Sequence, residues 1–205
     1  RIPYYNLNSS LDLFGGYSDV DSGTVAGLFA VSGKGSVYGA RWNYYLPKWD
    51  DIEQKAYVGL DYRAYKNNVT LGGVGFVPDI TVRPISLGYA GLKRMSASEL
   101  AFNTSLSRNI PGAQDGSAAD FQAARPGADE NYTILRYGAS YSHAFRNDWQ
   151  GRVAFVGQYT NDLLVPGEQF GIGGADSVRG YLPREVASDR GYATQLEIYT
   201  PNFSG

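Results

Sequence analysis

The sequence has no cysteine and only one histidine among its 205 residues. Without cysteine, the chain can form neither a disulfide nor a thiolate metal site. A Ser-His-Asp catalytic group would have to be built on His143, which follows Ser142 near the end of a predicted strand. An aromatic ring at a membrane surface is a simpler interpretation of that position. The sequence therefore predicts neither an enzyme nor a metal centre.

Long apolar runs and clusters of one charge are also missing. No segment approaches the roughly 18 apolar residues that a transmembrane helix needs. The net charge is −2 and no basic cluster occurs, so no nucleic-acid partner is predicted. The glycines at 171, 173 and 174 only weakly suggest a phosphate-binding loop, because no Lys-Ser or Lys-Thr pair follows them. No cofactor is predicted.

Glycine and tyrosine are abundant instead, with 26 and 17 residues, beside 3 tryptophans. Tyrosine and tryptophan favour strands and membrane interfaces, and glycine favours bends, so the composition indicates a β-rich chain. Alternation of apolar and polar residues predicts eight antiparallel strands and an all-β fold, and no segment has helical periodicity. The predicted strands are 7–17, 36–46, 55–65, 81–90, 99–108, 132–143, 151–161 and 192–200.

The predicted connections alternate in length. The long ones are 18–35, 66–80, 109–131 and 162–191, and the short ones are 47–53, 91–98 and 144–150. Outer-membrane barrels have this asymmetry, with long loops outside the cell and short turns in the periplasm. Pro3, Pro47 and Pro201 are predicted to end strands at the periplasmic side, and residues 1–3 to be the tail of a preceding strand.

The two faces of the predicted strands differ in chemistry. One is apolar and aromatic, with Tyr38, Trp42, Tyr44, Tyr62, Tyr89, Tyr137, Tyr141 and Tyr159. The other carries charges of both signs, with Arg41, Lys55, Asp61, Arg63, Glu99, Arg136, Arg152 and Glu197. In a membrane barrel, the first face contacts outer-membrane lipid and the second lines a wet lumen, where its arginines either pair with the acids or border a path for an unfolded polypeptide. A soluble or secreted sandwich would show the same alternation.

The connection 162–191 is too long for a hairpin turn. Its centre carries Gly173, Gly174, Ser177, Val178, Arg179, Gly180 and Tyr181. Glycines on both sides of one arginine let the backbone turn tightly and approach a wall, while Val178 and Tyr181 provide apolar groups for packing. This pattern predicts a loop that folds inward and docks, although a solvated surface loop could have the same composition.

The GG-x-x-SVRGY motif resembles the signature loop of the two-partner secretion transporters. These TpsB-type proteins, of the haemolysin secretion/activation kind, belong to the outer-membrane superfamily that also contains the barrel-assembly insertases. The resemblance continues through residues 162–169 and 189–191, and more weakly through 15–23 and 59–65. It covers most of the chain and is most specific in the arginine loop.

The resemblance implies that residues 1–205 are a partial transmembrane β-barrel domain. They would form about eight strands, the fifth to the twelfth, of a sixteen-stranded barrel, with the POTRA domains and the remaining strands outside the chain. It also implies an outer-membrane translocator that secretes a large exoprotein through the lumen without nucleotide and requires the VRGY loop. The matching arginine would contact an acidic residue on a strand beyond residue 205. An insertase relative and a β-rich surface adhesin are the alternatives.

Overall fold

The computed structural model describes residues 1–25, 29–66, 70–71, 74–75, 78–174, 177–182 and 184–201, with the backbone alone at 18–25, 29–34, 70–71 and 74–75. Its regular structure is almost entirely β-strand, which confirms the predicted all-β class. The strands are β1 (Ile2–Tyr4), β2 (Ser9–Val25), β3 (Phe29–Trp49), β4 (Ile52–Lys66), β5 (Thr70–Leu71), β6 (Val74–Gly75), β7 (Ile80–Val82), β8 (Pro84–Arg94), β9 (Ser98–Asn109), β10 (Thr133–Ala144), β11 (Gln150–Tyr159), β12 (Phe170–Ile172), β13 (Val186–Ser188) and β14 (Gly191–Tyr199). The helices are α1 (Ala118–Ala124) and the 3-10 turns Tyr5–Leu7, Arg146–Asp148 and Pro166–Glu168.

Ten strands form one antiparallel sheet, in the order β1-β2-β3-β4-β8-β9-β10-β11-β14, with β7 also paired to β4. The long strands follow one another in sequence order, so the sheet is an up-and-down meander with long loops at one end and short turns at the other. The eight predicted strands correspond to β2, β3, β4, β8, β9, β10, β11 and β14, and β1 confirms the predicted strand tail. The pairs β5-β6 and β12-β13 are small ribbons within the loops.

The predicted loop at 18–35 is wrong in extent. Strands β2 and β3 continue as a paired hairpin to Val25 and from Phe29, and 26–28 lie outside the described residues. The sequence did not predict this pairing, because ladder hydrogen bonds involve only backbone groups and do not require apolar and polar residues to alternate. The turn at 47–53 is likewise shorter than predicted. Only Asp50 and Asp51 separate β3 from β4, both at positive φ, which suits a two-residue hairpin.

The prediction that proline ends strands is correct at one position and wrong at two. Pro201 follows β14, but Pro3 pairs with Ser10 inside β1, and Pro47 lies within β3. The register shifts between Leu46 and Trp49, so Pro47 lies at an irregularity where its missing N–H removes no regular ladder bond.

The cross-strand register confirms the two predicted faces. Trp42 pairs with Leu11 and Val58, and Leu60 pairs with Ile85, so apolar positions on neighbouring strands share one side of the sheet. The exposed large apolar residues on that side include Leu13, Tyr38, Trp42, Val58, Leu60, Tyr62, Leu87, Leu106, Tyr141, Phe155, Leu196 and Ile198. The apolar face is therefore open over all eight long strands.

The buried apolar core lies on the opposite face, at the end of the sheet that carries the long loops. It consists of Ile80, Val82, Phe121, Ala128, Tyr132, Ile134, Leu164 and Val165. Helix α1 contributes Phe121 and begins at a capping box in which Ser117 and Asp120 exchange side-chain-to-backbone hydrogen bonds. The prediction of no helix is wrong because two turns with one buried residue give no measurable period. No helix in the described ranges is long and apolar enough to cross a membrane.

Candidate functional site: a charged sheet face covered by a long loop

The eight charged residues predicted for a lumen all lie on the face of the sheet that carries the core. The register gives this directly: Arg41 pairs with Gly59, two residues before Asp61, and Arg152 pairs with Glu197. Lys55 and Gly59 are an even number of residues apart on β4, so they share a face. Ser142 shares a face of β10 with Arg136, and it pairs with Glu99 on β9. The structure thus brings Arg41, Lys55, Asp61, Arg63, Glu99, Arg136, Arg152 and Glu197 to one surface.

The partners of these charges follow the prediction only in part. Arg63 donates to Asp61 at 2.8 Å and Arg152 donates to Glu197 at 3.2 Å, both as expected. Glu99, however, pairs with Arg94 at 3.3 Å, near the short turn, instead of with one of the predicted lumen arginines.

Arg41 also lies against aromatic rings. Its guanidinium lies 4.6 Å from the Tyr57 ring centroid and 5.7 Å from that of Phe14. Aromatic faces attract a cation in this way.

Glu168 is the centre of the site, and the sequence did not single it out. Its side chain is 1 % exposed and accepts hydrogen bonds from Arg63 Nη1 at 2.8 and 3.0 Å and from the Tyr65 hydroxyl at 2.7 Å. Arg136 Nη2 donates to the other carboxylate oxygen at 3.0 Å. Gln158 Nε2 donates to the backbone oxygen of Glu168 at 3.0 Å. One loop residue therefore binds groups from β4, β10 and β11.

The sequence around Glu168 explains why the loop approaches the sheet so closely. Pro166 starts a 3-10 turn, a position that suits its fixed φ, and the Glu168 amide donates to the Val165 oxygen at 2.9 Å. A side chain at Gly167 would place its Cβ 2.8 Å from the ring of Tyr65, so only glycine fits between the turn and β4. The Pro-Gly-Glu turn thus delivers the carboxylate to Arg63.

The charges of this cluster balance. Arg63 and Arg136 oppose Asp61 and Glu168, and Arg63 and Glu168 are almost fully enclosed. Burial alone would raise the pKa of Glu168, but the guanidinium groups of Arg63 and Arg136 outweigh burial and lower that pKa to about 2. The carboxylate is ionised at neutral pH. Removing one partner of such a buried pair costs about 3 to 5 kcal/mol.

A second set of contacts holds the ends of the loop together. Arg125, which follows α1, donates to both carboxylate oxygens of Asp189, and its Nη1 also donates to the Leu164 oxygen at 2.7 Å. Asp189 also accepts from the Leu164 amide at 3.1 Å and from Gln169 Nε2 at 3.1 Å. The loop at 109–131 and the loop at 162–190 therefore pack on the sheet as one unit.

The GG-x-x-SVRGY motif at the tip of the loop forms a tight turn, although Ala175 and Asp176 lie outside the described residues. Ser177 Oγ donates to the Gly173 oxygen at 2.9 Å and accepts from the Gly173 amide at 2.7 Å. Gly173, Gly174 and Gly180 have φ values of 119°, 90° and 92°. Glycine suits these positions because other residues rarely adopt such angles. The prediction of a glycine-dependent turn is confirmed in backbone geometry.

Arg179 binds an acidic side chain within this chain, and the expected partner on a strand beyond residue 205 stays a prediction. Arg179 Nη2 donates to Glu197 Oε1 at 2.8 Å, and Gln195 Nε2 donates to the Ser177 oxygen at 3.0 Å. Both partners belong to β14, so the tip lies against the charged face of the strand that follows the loop. A motif gives the type of partner but not which acid on the wall lies within reach.

The apolar side chains of the tip are not enclosed by the described part of the chain, so their packing stays a prediction. Val178 and Tyr181 are 43 % and 59 % exposed, and the Arg179 side chain is 78 % exposed. Polar bonds from Arg179 and the Ser177 backbone hold the tip against β14. The enclosed arginine of the site is Arg63.

His143 lies away from this cluster, on the apolar face. It stacks on Tyr141 with ring centroids 6.4 Å apart, meets Phe145 edge-on at 4.6 Å, and its Nδ1 is 2.7 Å from Ser98 Oγ. The surroundings are those of a ring at the end of a strand. Within the described ranges, no three histidine, aspartate or glutamate side chains come together as metal ligands would.

Comparison with known proteins gives one family and one solved structure. The family model described as haemolysin secretion/activation protein ShlB/FhaC/HecB matches residues 1–205. The fold is similar to that of CdiB from Escherichia coli, with a TM-score of 0.70 and 18% sequence identity. The match covers 93% of this chain and 35% of CdiB, so this chain spans about a third of that protein. No curated protein sequence matches the chain.

Proposed function

Because this chain belongs to the ShlB/FhaC/HecB family of haemolysin secretion/activation proteins, we propose that it is the central part of an outer-membrane barrel that exports a partner protein. The family is one of outer-membrane transporters in two-partner secretion. The exported partner is a large exoprotein of the haemolysin or adhesin type. It passes through the lumen, and the loop at 162–190 is required for that passage.

The contacts of Glu168 are the observation that carries this proposal. Glu168 binds Arg63 on β4 and Arg136 on β10, although β8 and β9 lie between these strands in the sheet. Three strand intervals of about 4.8 Å place β4 and β10 roughly 14 Å apart along the sheet. A wall that curves around the loop would let both arginines reach one carboxylate. The shared contact therefore supports a loop on the concave side of a barrel wall.

The opposite face supports a place in the membrane. Leu60, Leu87 and Leu106 are exposed near the middle of their strands, where water would make a continuous apolar surface costly. Aromatic rings such as Trp42 and Tyr141 lie along the same face. Lipid of the outer membrane covers this surface in the complete protein, and further strands close the barrel beyond β1 and β14.

The chemistry of transport follows from the charged face. An extended polypeptide offers hydrogen-bond donors and acceptors along its backbone. The wall offers negatively charged carboxylates, positively charged guanidinium groups and neutral amides as partners. Each contact between the exported polypeptide and the wall is weak enough to be replaced by the next one, so the polypeptide can move without a nucleotide or a cofactor. Residues 1–205 would supply strands five to twelve of a sixteen-stranded barrel.

The experiment compares export by Arg179→Ala, Arg179→Lys and wild type in the full-length protein, with the partner measured in the medium relative to transporter in the membrane. The Arg179–Glu197 pair is exposed and screened by water, so it contributes little to stability and both variants should assemble. We expect export to be largely lost in Arg179→Ala and partly restored in Arg179→Lys, since lysine keeps the charge but not the planar fork.

Arg190→Ala is the matched control, because Arg190 is an exposed arginine of the same loop outside the motif. It should export as wild type does. Export by Arg179→Ala at the wild-type level, at equal abundance in the membrane, would contradict the proposed role of the loop. A full-length wild type that exports no partner but is needed for assembly of other barrels would favour an insertase.

A further inference from the structure

The loop at 162–190 is attached to the wall at two places of very different character. At the tip, Arg179 binds Glu197 through a pair whose arginine is largely in solvent. At the root, Glu168 is enclosed and binds Arg63, Tyr65 and Arg136 together. Exposed pairs exchange readily with water, whereas a buried carboxylate with charged donors does not. The root is therefore the attachment that decides where the loop sits.

The position of Glu168 requires a negatively charged side chain. Asp61 alone cannot neutralise Arg63 and Arg136, and Arg63 is too deeply enclosed for water to do so. Arg63 Nη1 donates to both oxygens of the Glu168 carboxylate, and Arg136 Nη2 donates to Oε2. An uncharged side chain of the same shape would leave the cluster with an excess positive charge, which a buried site does not tolerate.

The neighbouring contacts transmit this position to the tip. Arg184, which follows the motif, donates to the Pro166 oxygen at 2.9 Å, and the φ of Arg184 is 54°. The segment that carries the motif thus leaves from and returns to the turn that Glu168 fixes. Moving that turn would move both ends of the tip.

We infer that Glu168 is a positioning residue that anchors the loop between β4 and β10 and so holds Arg179 against β14. The inference deepens the proposed function and rests on it for its consequence in transport. The anchor itself is a property of the fold and can be measured without any export.

The test uses hydrogen–deuterium exchange of peptides spanning 162–172 in the full-length protein, with peptides from β9 as an internal reference. Glu168→Gln keeps the size of the side chain and removes its charge, and Glu168→Asp keeps the charge but shortens the reach. Glu185→Gln is the matched control, because Glu185 is exposed and its carboxylate accepts from the Leu182 amide within the loop.

We expect exchange in Glu168→Gln on the order of tenfold to a hundredfold faster than in wild type. Glu168→Asp should fall between the two, Glu185→Gln should match wild type, and the β9 peptides should be unchanged in all. Export of the partner should fall in Glu168→Gln as well. This order identifies charge, and not volume, as what holds the loop.

Three results would overturn the inference: wild-type protection in Glu168→Gln, faster exchange in Glu168→Asp than in Glu168→Gln, or normal export from a variant whose loop root has opened. Absence of export by the wild type would overturn the proposed function instead. In that case the exchange rates would still decide whether Glu168 is the anchor.

Discussion

The arginines of the charged face range from enclosed to solvated, and burial decides what each contributes. The side chains of Arg63, Arg136, Arg152 and Arg179 are 4 %, 28 %, 43 % and 78 % exposed. Arg63, the most enclosed of the four, binds the root of the loop, where loss of an ion-pair partner lowers stability strongly. Arg179, at the other end, adds little to stability, so a large effect of its removal on export would be a direct effect on transport.

Gly180 should be sensitive for a backbone reason alone. Its φ is 92°, and a Cβ added there would meet no atom within 4 Å, so no clash competes with strain. Holding a residue other than glycine at such an angle costs about 1 to 3 kcal/mol. We expect Gly180→Ala to lower export at equal membrane abundance. Leu182→Ala, at an exposed neighbour outside the motif, should export normally, and equal export by the two variants would contradict the strain argument.

At the scale of the elements, the sequence predicts those strands whose two faces have different chemical surroundings. In a membrane barrel, water and lipid on opposite sides of β4 or β9 would produce the period of two that predicts both strands. The backbone pairing of β2 and β3 beyond residue 17 and before residue 36 was not predicted, because ladder hydrogen bonds do not depend on that period. Helix α1 has one buried side chain, Phe121, and depends on the core that the sheet provides.

Two adjacent positions in the middle of β9 allow a matched test of the faces. Asn103 lies on the charged face and Thr104 on the apolar face, and both are exposed. Arginine at the lipid-facing position should cost about 2 to 4 kcal/mol near the bilayer midplane, and little on the lumen side. We expect urea to unfold Thr104→Arg in lipid vesicles at lower concentration than Asn103→Arg. Equal shifts for the two variants would argue against a lipid-facing surface.

At the scale of the whole molecule, the predictable part of the site is the charged wall and the motif of the loop. The alternation of residues along the strands predicts the charged wall, and the spacing of the glycines predicts the turn at the loop tip. The anchor was not predictable, because Glu168 and Arg63 are 105 residues apart and meet only when the loop folds across four strands. The contact between Arg179 and Glu197 was not predictable for the same reason, because local sequence does not give the distance between a loop tip and a strand.

The central claim is that one face of this sheet lines a wet lumen and the other contacts lipid. Residues 1–205 contain no cysteine, so single cysteines carrying a nitroxide label can be placed at exposed positions of both faces, in a full-length protein from which any other cysteine has been replaced, in bilayers. Leu60, Leu87 and Leu106 test the apolar face, and Glu99, Asn103 and Arg152 test the charged face. We expect molecular oxygen, which concentrates in lipid, to relax the first set more strongly, and a water-soluble nickel chelate to relax the second set more strongly. Equal access of the nickel chelate to both sets would contradict the account.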